Sequence, residues 1–229
     1  MKNLLFAIML LFATTASPQK DVTKFLGIPV DGTKNAMIDK LIDKGFTYNK
    51  EEDYLEGEFN GQDVHLNVVT NNNKVYRIMV TETTKWNETD IRIRFNTLFN
   101  QFNNNPRYLC LNEKSLIPEE EKIAYEMEIN NKRYEADFFQ EISFDNIDTI
   151  AIKEKAKELL KKSSSDDDIY YSSGKTEKVD NAYKLMLLYH VYENAKNKVV
   201  WFIINKFLDK YNIVIYYDNL YNRANGEDL

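Results

Sequence analysis

Glu56 and Glu58 stand at i and i+2 in Tyr54-Leu55-Glu56-Gly57-Glu58-Phe59. On a strand this spacing puts both carboxylates on one face, about 7 Å apart from twice the strand rise. An inverting glycosidase places its acid and base at such a separation. Alternating Glu on a solvated strand is the commoner arrangement, and Glu126/Glu128 and Glu135/Asp137 repeat it, which favours a solvated face over a site. Metal chemistry is poorly supplied. His65 and His190 are the only histidines and Cys110 the only cysteine, so no zinc set can be assembled at the usual spacings. Asp166-Asp167-Asp168 lacks the alternating ligands and the glycine of a calcium loop. Asp218, Asn219, Asn222 and Asp228 carry the right oxygens for calcium, but a polar tail accounts for them equally well. There is no Gly-x-Ser-x-Gly elbow, no Gly-rich phosphate loop and no dinucleotide fingerprint. No catalytic, cofactor-binding or metal-ligating residue is therefore assigned, and no cofactor is expected. Cys110, within Tyr108-Leu109-Cys110-Leu111, reads as a small buried hydrophobe.

The remaining chemical signal is aromatic. Trp201, Phe202, Phe207, Tyr211, Tyr216, Tyr217 and Tyr221 gather near the C-terminus. On strands one set of these faces inward and the other outward. If Trp201, Tyr211 and Tyr217 are the outward set, they form a patch suited to a protein or glycan partner. The competing reading is that most of them are core.

These residues need elements to position them. The clearest is Asp53–Glu82, which reads as three antiparallel strands. Asn60-Gly61 accepts positive φ at both central positions of a type I′ turn, and Asn71-Asn72-Asn73 makes the second turn. Alternation points Leu55, Phe59, Val64, Leu66, Val68, Tyr76, Ile78 and Val80 inward. It points Tyr54, Glu56, Glu58, His65, Asn67, Arg77 and Met79 outward. Before the meander, Phe25 to Val30 suggests a short edge strand. Thr33 is a helix N-cap, Met37, Ile38, Leu41 and Ile42 recur at helical spacing, and Gly45 fits the C′ position with Phe46 packing back.

The second half follows a similar order. Ile91, Phe95, Leu98 and Phe102 mark a helix over 89–103, stopped by Asn104-Asn105-Pro106. Tyr108–Leu111 reads as a short strand. Ile123/Tyr125/Met127/Ile129 and Tyr134/Ala136/Phe138 alternate around Asn130-Asn131, which predicts a hairpin. Residues 141–197 form an expected helical insertion, with helices over 150–162 and 179–195 joined by the polar linker 163–168. Val199–Lys206 and Tyr211–Tyr217 are the last two strands.

The fold class expected is α+β: tandem helix-plus-antiparallel-meander repeats, the second carrying a helical insertion. The divisions are 1–19 for a signal peptide, 20–86 for the first repeat and 87–229 for the second. One continuous antiparallel sheet with all helices on one face is the alternative arrangement.

Residues 1–19 carry Lys2, an apolar run from Leu4 to Ala13 and the small residues Thr14-Thr15-Ala16-Ser17, the pattern of an export signal. The run is too short to span a bilayer, and no later stretch could do so. The expected location is periplasmic or secreted. A net charge of −6 with no strong basic patch argues against a nucleic-acid partner.

The stretches KFLGIPVDGTKNAMIDKLIDKGF, LEGEFNGQDVHLNVVTNNNKVYRIMV and VVWFIINKFLDKYNIVIYYDNLYNRANGEDL resemble a family of uncharacterised secreted proteins from Bacteroidetes. The resemblance covers most of the mature chain and is weakest over 141–197. It implies no site residue. The helix-then-meander pattern is also similar to the tandem architecture of the beta-lactamase inhibitor protein and of the smaller outer-membrane assembly lipoprotein related to it. That similarity implies binding through an open sheet face. The functional expectation is an exported, non-enzymatic binding module for a protein or glycan of the cell envelope. The alternative is an envelope-associated hydrolase acting on glycan or peptide through acidic residues.

Overall fold

A computed structural model describes residues 21–110, 115–141, 148–163, 180–184, 186–187 and 195–224. The expected signal peptide, residues 164–168 of the linker and His190 lie outside the described residues. So does most of the second helix expected in the insertion, of which 180–184 and 186–187 are helical.

The main elements of the described chain follow in the order β1 (Lys24–Phe25), β2 (Ile28–Pro29), α1 (Lys34–Ile42), β3 (Thr47–Asn49), β4 (Tyr54–Phe59), β5 (Gln62–Asn71), β6 (Lys74–Glu82), α2 (Glu88–Asn103), β7 (Tyr108–Cys110), α3 (Ile123–Ile129), β8 (Glu135–Gln140), α4 (Thr149–Ser163), β9 (Val199–Phe207) and β10 (Lys210–Asp218), with a 3-10 turn over Leu220–Asn222 at the end. β1 and β2 form a two-stranded hairpin. The other eight strands make one sheet in the order β3-β4-β5-β6-β10-β9-β8-β7. Every pairing in it is antiparallel. The chain is α+β, and the two long hairpins meet where β6 lies beside β10.

Local chemistry accounts for most element ends. Thr33 caps α1, its hydroxyl accepting from the Ala36 amide. The helix closes with the Phe46 amide donating to the Leu41 carbonyl and Gly45 at φ 98°, a left-handed position that suits glycine. Asn87 caps α2, its side chain accepting from the Asp90 amide at 2.9 Å. Asn60 and Gly61, at φ 53° and 70°, and Asn72 and Asn73, at 47° and 58°, make the two tight turns between β4, β5 and β6.

The core lies between one sheet face and helices α1 and α2. Met37, Ile38 and Leu41 of α1 and Ile91, Phe95, Leu98, Phe99 and Phe102 of α2 are buried there. They meet Leu55, Leu66, Ile78, Val80, Phe138, Phe202, Ile213 and Ile215 of the strands. Each such side chain contributes about 1.5–3 kcal/mol by leaving water. Phe102 stacks on Phe138 and Phe202 at 5.0 and 5.7 Å, which ties α2 to β8 and β9. Gly57 lets the Phe46 ring lie directly on β4, since a Cβ there would come within 2.5 Å of it.

Two sequence expectations need correction. The register shifts between Val69 and Thr70. This bulge puts Val75 rather than Tyr76 into the core; Val75 is buried and Tyr76 half-buried. The larger correction is at 123–129, where the predicted strand is helix α3. The alternation Ile123/Tyr125/Met127/Ile129 also contains two i, i+4 pairs. Ile123 and Met127 pack on the core, while Tyr125 and Ile129 face solvent. A hairpin strand there would have to pair with β8, but β7 and β9 already occupy both edges of β8. Asn131, expected as a hairpin turn, instead takes φ 50° just beyond the end of α3.

Candidate functional site

Alternation on β9 and β10 decides the fate of the aromatic cluster. Val200, Phe202 and Ile204 face the helices, so Trp201 and Ile203 face the other way. Directly opposite on β10, Tyr216 pairs with Trp201 and Val214 with Ile203. Tyr211 and Tyr217 carry the inward parity. Each is only 3% exposed, so neither belongs to a surface patch. Tyr217 packs edge-on against Phe25 at 4.9 Å, and burial pushes its phenol well above the usual tyrosine range. Tyr211 lies under Trp86, whose amide donates to its carbonyl at 2.7 Å. Of the three candidates only Trp201 faces outward, and it is half-buried.

Trp201 is part of an assembly at the centre of the outer face. Its ring stacks on Tyr216 at 4.1 Å and 19°. Its indole Nε1 donates to Asp218 Oδ2 at 3.0 Å. Arg77 grips the same carboxylate with two bonds, Nε to Oδ1 at 2.6 Å and Nη2 to Oδ2 at 2.7 Å. The guanidinium lies 4.6 Å from the Tyr216 ring centre and 5.4 Å from that of Trp201. Burial works against the Arg77 charge, and the hydrogen bonds to Asp218 more than offset it, so its pKa is raised. Asp218 is itself buried. The register places Arg77 opposite Asp218 and Met79 opposite Tyr216 across the β6–β10 seam. Arg77, Tyr216 and Asp218 were not among the sequence candidates as a unit. Arg77 was expected to face outward, but Tyr216 has the parity opposite to Tyr211 and Tyr217, Asp218 reads with the polar tail, and nothing in the sequence pairs residue 77 with residue 218.

The same face continues to both sides. On β4 and β5, Tyr54 stacks on His65 at 4.1 Å and donates to Glu56 at 3.0 Å. Glu56 lies opposite His65, and Glu58 lies opposite Asp63. Glu56, Glu58 and Asp63 are all exposed. On β8, Asp137 lies opposite Trp201 and Glu135 opposite Ile203. Burial, followed by the nearby charge of Glu135, raises the Asp137 carboxyl, and Arg133 partly opposes this. Glu126 and Glu128 do not share this face as strand neighbours; they lie on α3, where Glu128 pairs with Lys206.

Glu56 and Glu58 line neither of two surface hollows, one along α4 and one of about 280 Å³ between residues 115–118 and 132–135. Beside the second, Glu121 accepts from Lys132, which lines the hollow, and from Tyr134 Oη at 2.5 Å, and these bonds, Lys132 first, hold its carboxyl below the usual range. Arg133 pairs there with Glu135 at 3.0 Å. The cations of that hollow are thus already matched. Among the described residues no cluster of three His, Cys, Asp or Glu is disposed to hold a metal. Cys110 is half-buried on the core side of β7. No described helix is long and apolar enough to cross a membrane.

No protein-family model, curated protein or solved structure matches this chain.

Proposed function

We propose that this chain is an exported, non-enzymatic binding module that takes a protein partner on the outer face of its sheet. The observation that carries this is the half-exposed Trp201–Tyr216–Arg77 assembly, on the face opposite α1 and α2. Trp, Tyr and Arg are the residue types that dominate binding energy at protein interfaces. Here Asp218 holds the rotamers of Arg77 and Trp201 in advance, and Tyr216 stacks on the indole, which lowers the entropy lost on binding. A glycan would need a bare ring face, but these rings are already engaged with one another and with the guanidinium. A hydrolase would need an enclosed pair of acids, and Glu56 and Glu58 stand exposed. Export rests on the pattern of residues 1–19. We infer as well that β3–β6 after α1 and β7–β10 after α2 are two copies of one unit, because each half has a leading helix and four antiparallel strands, with α3 and α4 inserted between strands of the second.

The test places a photo-crosslinking residue at Ile203 on the outer face or at Ile93, an exposed position on α2. Position 203 should trap a discrete protein in an envelope extract, position 93 should not, and Trp201→Ala should abolish the product. Identical products at both positions, or none at either, would overturn the reading.

A further inference from the structure

The charge pattern around the aromatic centre says more about the partner, resting on the binding reading above. The outer face has an apolar and aromatic middle, the half-buried Met79, Ile203, Trp201 and Tyr216 around the buried Val214, between two acidic flanks. One flank carries Glu56, Glu58 and Asp63, the other Glu135 and Asp137. The cation at the centre, Arg77, is already matched by Asp218. His65 faces Glu56, and Arg133 reaches Glu135 from beside β8.

This arrangement works against the fold. Glu58 stands directly opposite Asp63, and like charges at opposed strand positions repel. Asp137 forms no hydrogen bond or ion pair among the described residues, although it lies opposite Trp201. An exposed carboxylate at the rim of the aromatic centre is a ready site for an incoming cation, which would gain the charge of Asp137 while the stem of its side chain covers the apolar middle. Nucleic acid and anionic lipid surfaces would be repelled by both flanks.

We propose that the outer face binds a basic, amphipathic segment of a protein partner, its apolar side chains on the Trp201–Tyr216 centre and its Lys or Arg side chains against Asp137, Glu135 and the Glu58–Asp63 flank. The segment crosses the strands rather than adding to a sheet edge, because the matching groups are spread from β4 to β8 along the face.

The test uses three short peptides alternating Leu with Lys, with Glu or with Ser. Trp201 emission is read in a Trp86→Phe background, and calorimetry on the unaltered protein serves if that variant folds poorly. The Lys peptide should bind about tenfold more tightly than the other two, and added salt should weaken it. Glu135→Gln with Asp137→Asn should remove about tenfold of its affinity, while Asp39→Asn, at an exposed position of α1 on the opposite side of the sheet, should change nothing. Equal binding of the Ser peptide, no binding of the Lys peptide, or a matching Trp201 response to phosphatidylglycerol vesicles would each overturn the basic-segment proposal. If a crosslink at position 203 persists in those cases, the binding face itself stands and only its charge selectivity falls.

Discussion

Asp218 organises the outer face because the polar atoms of a side chain only 4% exposed need hydrogen-bond partners within the protein. Arg77 and Trp201 supply three donors, and in doing so they become fixed themselves. Asp137 is the contrasting case. Its raised carboxyl pKa means that folding disfavours its charged form. With the folded value above the unfolded one, ionised Asp137 costs stability at neutral pH. That cost shrinks as pH falls through the folded value and is gone below the unfolded one. Asp137→Asn should therefore raise the melting temperature at pH 7, and the gain should fade on acidification toward the unfolded carboxylate range near about 4. Melting curves from neutral to acidic pH check this. An equal gain at every pH would remove charge as the cause. At this scale the sequence was partly legible: Trp201 could be named as a candidate, but Asp218 could not be distinguished from any other polar residue of the tail.

Three tight turns of the large sheet join strands at two-residue connections, and they differ in chemistry. Asn60-Gly61 and Asn72-Asn73 use residues that tolerate positive φ. Between β9 and β10 the equivalent position is Leu208, at φ 56° and 77% exposed. A leucine in the left-handed region costs about 1 kcal/mol or more against glycine. It also loses nothing on replacement, since its side chain is in solvent. Leu208→Gly should stabilise the chain by about 0.5–1 kcal/mol, read as a higher urea midpoint with an unchanged slope. A lower midpoint would show that the side chain makes a contact in the folded state. The first two turns were legible because Asn and Gly announce their backbone angles. α3 was not, because its seven residues satisfy a period of two and a spacing of four equally well. Occupied neighbours on both sides of β8 then excluded the strand.

Across the whole molecule, the first described residues act as a clasp. Thr23 is fully buried, and its hydroxyl reaches the Asn197 carbonyl at 3.0 Å and the Asp218 carbonyl at 2.5 Å. Gln140 bonds both the amide and the carbonyl of Lys24. Asn219 and Asn222 bond Val30 and Asp31. Residues at opposite ends of the chain are thus held together beside the end of β10. Thr23→Val keeps the shape and leaves the Asn197 carbonyl its bond from the residue 23 amide, but removes the hydroxyl donor to the buried Asp218 carbonyl, at a cost of about 1–3 kcal/mol. For a chain of this size that is a fall in melting temperature of about 2–4 °C per kcal/mol, measurable by calorimetry. No fall would mean that water replaces the hydroxyl. Periodicity, caps and turn residues determined the α+β class, α1, α2 and most strands from the sequence alone, because those signals act within a few residues of chain. The order of strands, the neighbouring of β6 and β10, and the meeting of Arg77, Trp201, Tyr216 and Asp218 were decided only in the tertiary structure. They depend on which strand edges remained free to pair, and no local preference encodes a contact between residues 77 and 218.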